Sequence, residues 1–213
     1  MAQPRLTRRA FLAGTGVAVL APGGILAPIP SWAAAKVGAP APAFTASSTT
    51  GKSVSLADYR GKIVVLEWTN HDCPYVRKHY ETDNMQALQK DAIGQGMTWL
   101  TIISSAPGTQ GHVSAGEADE LTVKRNASPS AVLLDPTGKV GRMYGATNTP
   151  HMYVIDATGT LVYAGAIDDK PTSRRSDVPG AQNYVRAALQ SVAAGQPVKT
   201  PVTRAYGCTV KYS

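Results

Sequence analysis

The stretch Ile63–Tyr80, IVVLEWTNHDCPYVRKHY, decides the fold. It opens on an apolar, β-branched run (Ile63, Val64, Val65, then Leu66), the composition of a buried strand. It then passes Cys73 and Pro74 into a polar–apolar helical pattern, and proline is well tolerated in the first turn of a helix. A cysteine between the end of a buried strand and the start of a helix points its sulfur at free backbone N–H groups. Those groups and the helix dipole favour the thiolate, which is the reactive form of cysteine. The stretch therefore predicts a redox-active thiol.

Upstream, Lys36–Phe44 (KVGAPAPAF) is an extended, proline-broken lead-in. Thr45–Ser55 reads as a short hairpin turning at Thr50-Gly51-Lys52, and Leu56–Lys62 as a helical turn ended by Gly61. Downstream, the spacing predicts one long helix from Pro74 to about Ile93, with Val76, Tyr80, Ala87 and Leu88 on one face and Arg77, Lys78, Glu81 and Lys90 outside. Met97–Ser104 is a second buried strand. Ser114-Ala115-Gly116-Glu117 opens a helix to about Arg125 with a capping-box start. Ala131–Leu134 is a short strand and Lys139–Tyr144 a short helix. His151–Asp156 and Leu161–Ile167 form a hairpin. Pro179 to about Ala194 is the last helix, and Gln196–Ser213 is a tail carrying Cys208. Helices between the early strands imply parallel crossovers, and the late hairpin is antiparallel, so the fold class is a three-layer α/β/α domain with a mixed central sheet and an N-terminal hairpin extension.

Residues 1–35 differ from the rest. Thr7-Arg8-Arg9-Ala10-Phe11-Leu12 is a twin-arginine pattern, followed by a Gly/Ala/Val/Leu stretch and Ser31-Trp32-Ala33-Ala34-Ala35. This is the layout of an export signal on the twin-arginine (Tat) route, which predicts a periplasmic or secreted protein. Pro22, Gly23, Gly24, Pro28 and Pro30 interrupt the stretch well short of the roughly 18 clean apolar residues of a spanning helix, so no stable membrane anchor is expected. The predicted organisation is a signal over 1–35, a domain over 36–195 and a tail over 196–213. The signal takes Arg5, Arg8 and Arg9 and no acidic residue with it, so the formal charge falls from +7 to +4. No basic run remains beyond Arg174-Arg175, which argues against a nucleic-acid partner. Cys73 and Cys208 are the two cysteines, and an exported protein meets an oxidising compartment where disulfides persist.

The element order, with its motifs, resembles the thioredoxin fold and, within it, the redoxin group of alkyl hydroperoxide reductase/thiol-specific antioxidant-like proteins. The resemblance spans roughly Val37 to Ala194. It is carried by Gly38–Phe44 with Ser55–Trp68 (SLADYRGKIVVLEW), by CPYV from Cys73 to Val76, by Leu133–Ala146 (LLDPTGKVGRMYGA) and by Asn148–Asp156 (NTPHMYVID). It implies that Pro150 is cis and lies against the reactive cysteine, and that the backbone of Thr149 can pair with an extended thiol partner.

Two departures shape the functional reading. Val76 stands where thioredoxins carry the second cysteine of CxxC, so Cys73 has no local resolving partner. Typical peroxiredoxins place Thr or Ser three residues before their cysteine and Pro seven before; here Asn70 and Leu66 occupy those positions, and Thr69 is one residue off. Cys208, in the tail, is the candidate resolving cysteine: a mixed disulfide or sulfenic acid on Cys73 would pass to an internal disulfide and then to an outside reductant. A purely structural Cys73–Cys208 bridge and two independent thiols are the rivals.

His71, beside the thiol, would stabilise or deprotonate it. Pro74, Tyr75, Thr149 and Pro150 complete the expected thiolate and substrate environment. His79 reads as a solvated helix residue, Trp99 as core, Trp68 as a wall of the thiol pocket, and Asp168-Asp169 as a turn. The expected function is an exported thiol–disulfide oxidoreductase whose partners are a thiol reductant and a protein disulfide, with a hydroperoxide as the alternative substrate. A second alternative is copper handling by Cys73 with His71 or His151, although the paired cysteines of such relatives are missing. No cofactor and no resident metal are called for.

Overall fold

The structure, a computed structural model, describes Met1 and residues 34–213. The export signal therefore falls almost wholly outside the described residues. No helix among the described residues is long and apolar enough to cross a membrane.

The chain begins with a hairpin of β1 (Thr45–Ser48) and β2 (Ser53–Ser55), paired Thr45 to Ser55. A 3-10 turn, Leu56–Tyr59, follows under a capping box in which Ser55 accepts from Ala57 and Asp58 accepts from Ser55. Next come β3 (Val64–Trp68), α1 (Pro74–Tyr80), α2 (Asn84–Gly94), β4 (Thr98–Ile103), α3 (Ala115–Lys124), β5 (Ala131–Leu134) and α4 (Lys139–Tyr144). β6 (Asn148–Thr149), β7 (His151–Ile155), β8 (Leu161–Gly165), a 3-10 turn (Arg175–Asp177), α5 (Tyr184–Ala193) and β9 (Cys208–Thr209) complete it.

Seven strands form one mixed sheet in the order β2-β1-β5-β4-β3-β7-β8. β3, β4 and β5 run parallel, as strands separated by crossover helices must, and the β7–β8 hairpin is antiparallel. Every residue of β3 is buried, and its side chains alternate between two cores. Val65 packs with Val76, Tyr80, Leu88, Val185 and Leu189 under α1, α2 and α5. Leu66 and Trp68 pack with Val140, Tyr144 and Tyr153 on the α4 side. The three-layer reading holds.

Three local expectations need correction. The long helix over 74–93 is two helices: Asp83 adopts a left-handed conformation (φ 56°), because Glu81-Thr82-Asp83-Asn84 is a run of turn and cap formers. As a result Ala87 is exposed rather than core. The last helix starts at Tyr184, not Pro179, with Asn183 capping the Arg186 N–H at 2.9 Å. The tail contains a strand, β9, that pairs with β6 in a separate two-stranded sheet.

Glu67 is a carboxylate with no exposure in the middle of β3. It accepts hydrogen bonds from Tyr80 Oη (2.7 Å), Trp99 Nε1 (2.8 Å), Thr101 Oγ1 (3.0 Å) and Gln89 Nε2 (3.3 Å). Burial pushes its pKa up, and the four donors pull the other way. Glu67 thus ties β3 to β4, α1 and α2.

Candidate active site at Cys73

Cys73 is the N-cap of α1, with Pro74 as the first helical residue, and it has no exposure. The loop before it is shaped by Asn70. The Asn70 Oδ1 accepts the Asp72 N–H at 2.9 Å, its Nδ2 donates to the Gln110 carbonyl at 3.3 Å, and its carbonyl accepts the Cys73 N–H at 3.1 Å. Asn70 stands where a peroxiredoxin has its hydroxyl, and here its amide is committed to holding the loop.

The sulfur is not held by its own helix, contrary to the expectation from sequence: Cys73 makes no side-chain cap bond. Its thiol instead donates to the Thr149 carbonyl at 3.1 Å, and its sulfur accepts the backbone N–H of Cys208 at 3.4 Å. The Thr149–Pro150 peptide is cis. Thr149 lies opposite Cys208 and Asn148 opposite Thr209 in antiparallel register. An extended strand does pair with Thr149, and that strand is the chain's own tail.

The tail is pinned rather than free. Asn148 Nδ2 donates to the Gly207 carbonyl (2.9 Å), the Val210 N–H to Thr147 (3.0 Å), the Ala106 N–H to Lys211 (2.8 Å) and Tyr212 Oη to Ala146 (2.6 Å). Both cysteines are free thiols, joined by the bond from the Cys208 backbone N–H to the Cys73 sulfur. Burial pushes the Cys208 thiol up to about 12, and its hydrogen bond to Cys73 and any negative charge there add to the effect. Cys208 therefore stays protonated at neutral pH.

The family-level comparison agrees with this geometry. Residues 37–164 match the model of the AhpC/TSA family. The chain belongs to the AhpC/TSA family.

Solved structures place the AhpC/TSA chain among thioredoxin-like folds. A hypothetical protein from Sinorhizobium meliloti is similar at TM-score 0.70 and 22% identity, over 85% of this chain and 97% of that one. A conserved protein of uncharacterised role from Geobacillus kaustophilus is similar at 0.70 and 24%, over 84% and 93%. A thiol:disulfide interchange protein from Bacteroides sp. is similar at 0.53 and 20%, over 75% and 91%. None of the curated proteins matches the sequence.

The remaining expected residues of this AhpC/TSA site separate into two groups. Tyr75 faces the tail: its ring lies 5.9 Å from that of Tyr206. His71 does not reach the sulfur. Its Nε2 lies 3.4 Å from Asp72 Oδ1, and Arg125 donates to its carbonyl at 2.9 Å. His151 stacks on Tyr153 at 4.5 Å and takes the Thr147 N–H at 3.4 Å. Trp68 packs on Tyr144 and Tyr153 and donates to Ser104 Oγ at 3.0 Å, in the core on the other face of the sheet. It does not wall the thiol pocket. No group of three His, Cys, Asp or Glu among the described residues is arranged to hold a metal, so the copper alternative lacks a donor set there.

Lys78 and His79, read as outward-facing, are both buried. Lys78 Nζ donates to the Lys170 carbonyl at 2.8 Å and lies 3.4 Å from Asp168 Oδ2. His79 lies 3.2 Å from Tyr206 Oη, and its Nδ1 meets Asn84 Nδ2 at 2.8 Å. Asp168, expected in a turn, is a buried counter-ion. Burial pushes His79 down to about 4, with Asp168 opposing and Lys78 assisting. A depressed histidine contributes stability that is complete above its unfolded value of 6.5 and is lost as pH falls towards 4. We expect His79 to account for a drop of up to roughly 3 kcal/mol in chemical-denaturation stability over that window. His79→Gln should flatten the drop, leaving the slope from His151, which burial also pushes down to about 4.

Proposed function

We propose that this protein is an exported thiol–disulfide oxidoreductase in which Cys73 is the nucleophile and Cys208 the resolving cysteine. One observation carries the reading: the backbone N–H of Cys208 is bonded to the Cys73 sulfur, with Cys208 in strand register opposite Thr149. The tail lifts to admit a substrate disulfide. The Cys73 thiolate attacks one substrate sulfur, forming a mixed disulfide and releasing the other sulfur as a thiolate. Cys208 then gives up its proton and attacks the Cys73 sulfur. The internal disulfide forms, and the substrate leaves as a second thiol. The substrate gains two electrons, the protein loses two, and an external dithiol restores it.

Burial holds the Cys208 thiol up in the reduced protein, but the contribution from charge on Cys73 disappears once Cys73 is in a mixed disulfide. Resolution is therefore easier in the intermediate than in the resting state. The committed amide of Asn70 favours disulfide exchange over peroxide reduction. The Bacteroides relative, named as a thiol:disulfide interchange protein, supports the same class. The twin-arginine pattern at Thr7–Leu12 supports residues 1–35 as the Tat signal of a periplasmic or secreted protein, ahead of the domain over 36–195.

Mass spectrometry after treatment with a protein disulfide, and separately with hydroperoxide, tests the reading. Wild type should lose two hydrogens to a Cys73–Cys208 bond, whereas Cys208→Ala should accumulate adducts on Cys73. Faster reaction with hydroperoxide than with disulfide would move the assignment to peroxidase. An inert Cys73 in both proteins would sink the enzyme reading.

A further inference from the structure

The exchange cycle makes no use of the charged pocket that receives Tyr206. The Tyr206 hydroxyl donates to Asp168 Oδ1 and lies 3.2 Å from His79 Nε2 and 3.5 Å from Lys78 Nζ. The side chains of Lys78 and His79 have no exposure and that of Asp168 has 1%. Asp168 Oδ2 faces Lys78 yet accepts no hydrogen bond. Burying such an ion pair costs several kcal/mol per charge unless hydrogen bonds satisfy it. An apolar ring in an apolar pocket would hold the tail at less cost.

The location of the pocket matters as much as its chemistry. Lys78 and His79 sit on α1, and Asp168 follows β8, so all three belong to the body of the domain. The hydroxyl comes from a segment that has to move before Cys73 can react. When it leaves, Asp168 Oδ1 keeps only the Lys170 backbone N–H at 3.0 Å, while Oδ2 is already without a hydrogen bond. A replacing strand therefore has to bring a hydroxyl of its own, or leave a buried carboxylate one donor short.

The register of that strand is also fixed. Its cysteine lies opposite Thr149. At the residue before, Gly207 has φ 120°, and a Cβ there would overlap the Thr149 carbonyl and come within 3.3 Å of Tyr75 Cβ. Only glycine fits. One residue earlier, the aromatic ring lies against Tyr75.

We propose that Lys78, His79 and Asp168 form a subsite that reads an aromatic hydroxyl on a peptide strand entering the Cys73 site. The partner is an extended cysteine-containing peptide of the pattern Tyr-Gly-Cys, and the tail is an internal copy of it. The inference rests on Cys73 being the nucleophile.

The test uses the full Cys208→Ala chain and synthetic octapeptides with the sequence of residues 203–210, their cysteine activated as a nitrobenzoate mixed disulfide. The Cys73 thiolate attacks the peptide sulfur, the peptide–nitrobenzoate bond breaks, and the electron pair leaves on the coloured thiolate. Because the tail competes equally with every peptide, ratios of rates report the subsite. A peptide with Tyr206→Phe should react about ten- to a hundredfold more slowly, the cost of removing one hydrogen bond from a buried charged acceptor. A peptide with Gly207→Ala should be slower as well. Adding Asp168→Asn to the protein should bring the Tyr/Phe ratio towards one; if that variant does not fold, the peptide series still decides. Equal rates for Tyr and Phe peptides overturn the subsite, as does peptide inertness while a small nitrobenzoate disulfide reacts. Failure of the small disulfide too would sink Cys73 as nucleophile, and the subsite with it.

Discussion

Gly207→Ala will uncover Cys73. In a Cys208→Ala background, which leaves one thiol to follow, the alkylation rate of Cys73 by iodoacetamide should rise by roughly a hundredfold. In the present arrangement Cys73 has no exposed surface, and the tail over it is held by the β6–β9 pairing and the Asn148–Gly207 bond. An alanine methyl at 207 would occupy the space of the Thr149 carbonyl and would sit on a backbone conformation (φ 120°) that L-residues rarely adopt. Losing two or three hydrogen bonds worth about 1 kcal/mol each corresponds to that rate change if access limits the reaction. Rates measured across pH separate access from thiol acidity, since the Cys208 N–H that stabilises the sulfur departs with the tail. An unchanged rate would mean that something other than the tail seals the thiol.

Glu67→Ala will cause the largest loss of stability of any single change considered. It leaves the donors on Tyr80, Trp99, Thr101 and Gln89 facing a cavity. Buried donors stripped of their shared acceptor cost about 3–5 kcal/mol in total, which a chain of this size reads as a fall in Tm of roughly 10 °C or more. Glu67→Gln should cost less, because it keeps one acceptor oxygen and the side-chain volume. The pH dependence has a definite sign. Burial raises the Glu67 pKa, so its contribution is complete below the ordinary value of 4.5 and fades as pH rises through the folded value. The advantage of wild type over Glu67→Gln should therefore shrink as pH is raised above 4.5. Thermal unfolding of the three proteins at two pH values checks both statements.

What the sequence made legible was local. β3, the β1–β2 hairpin, the Ser114 capping box and the strand at Ala131–Leu134 each depend on residues within a few positions of one another, and each forms as read. Cys73 at the strand–helix junction was legible from the apolar run before it and Pro74 after it, and the cis Thr149–Pro150 bond through the family resemblance. The environment of Lys78 and His79 was not. Charged residues beside a helix start are normally solvated, and what buries these two is Asp168 and Tyr206, far along the chain. β6 and β9 have two residues each, too short to show any period. One signal was available and unused: a lone glutamate, Glu67, inside an otherwise apolar five-residue strand predicts a buried acceptor with dedicated donors.

The upstream part of the tail is stitched to the edge of the main sheet: the Ala164 N–H donates to Pro201, the Thr203 N–H to Ala164, and Thr203 Oγ1 accepts the Ala166 N–H. If only the portion beyond Thr203 lifts, Cys208 swings on a leash of five residues (203 to 208). So short a flexible leash keeps a group at an effective concentration in the millimolar range. A second substrate thiol at micromolar levels would then lose the race for the mixed disulfide by about a thousandfold. Release would be unimolecular, and its speed independent of how crowded the surrounding compartment is.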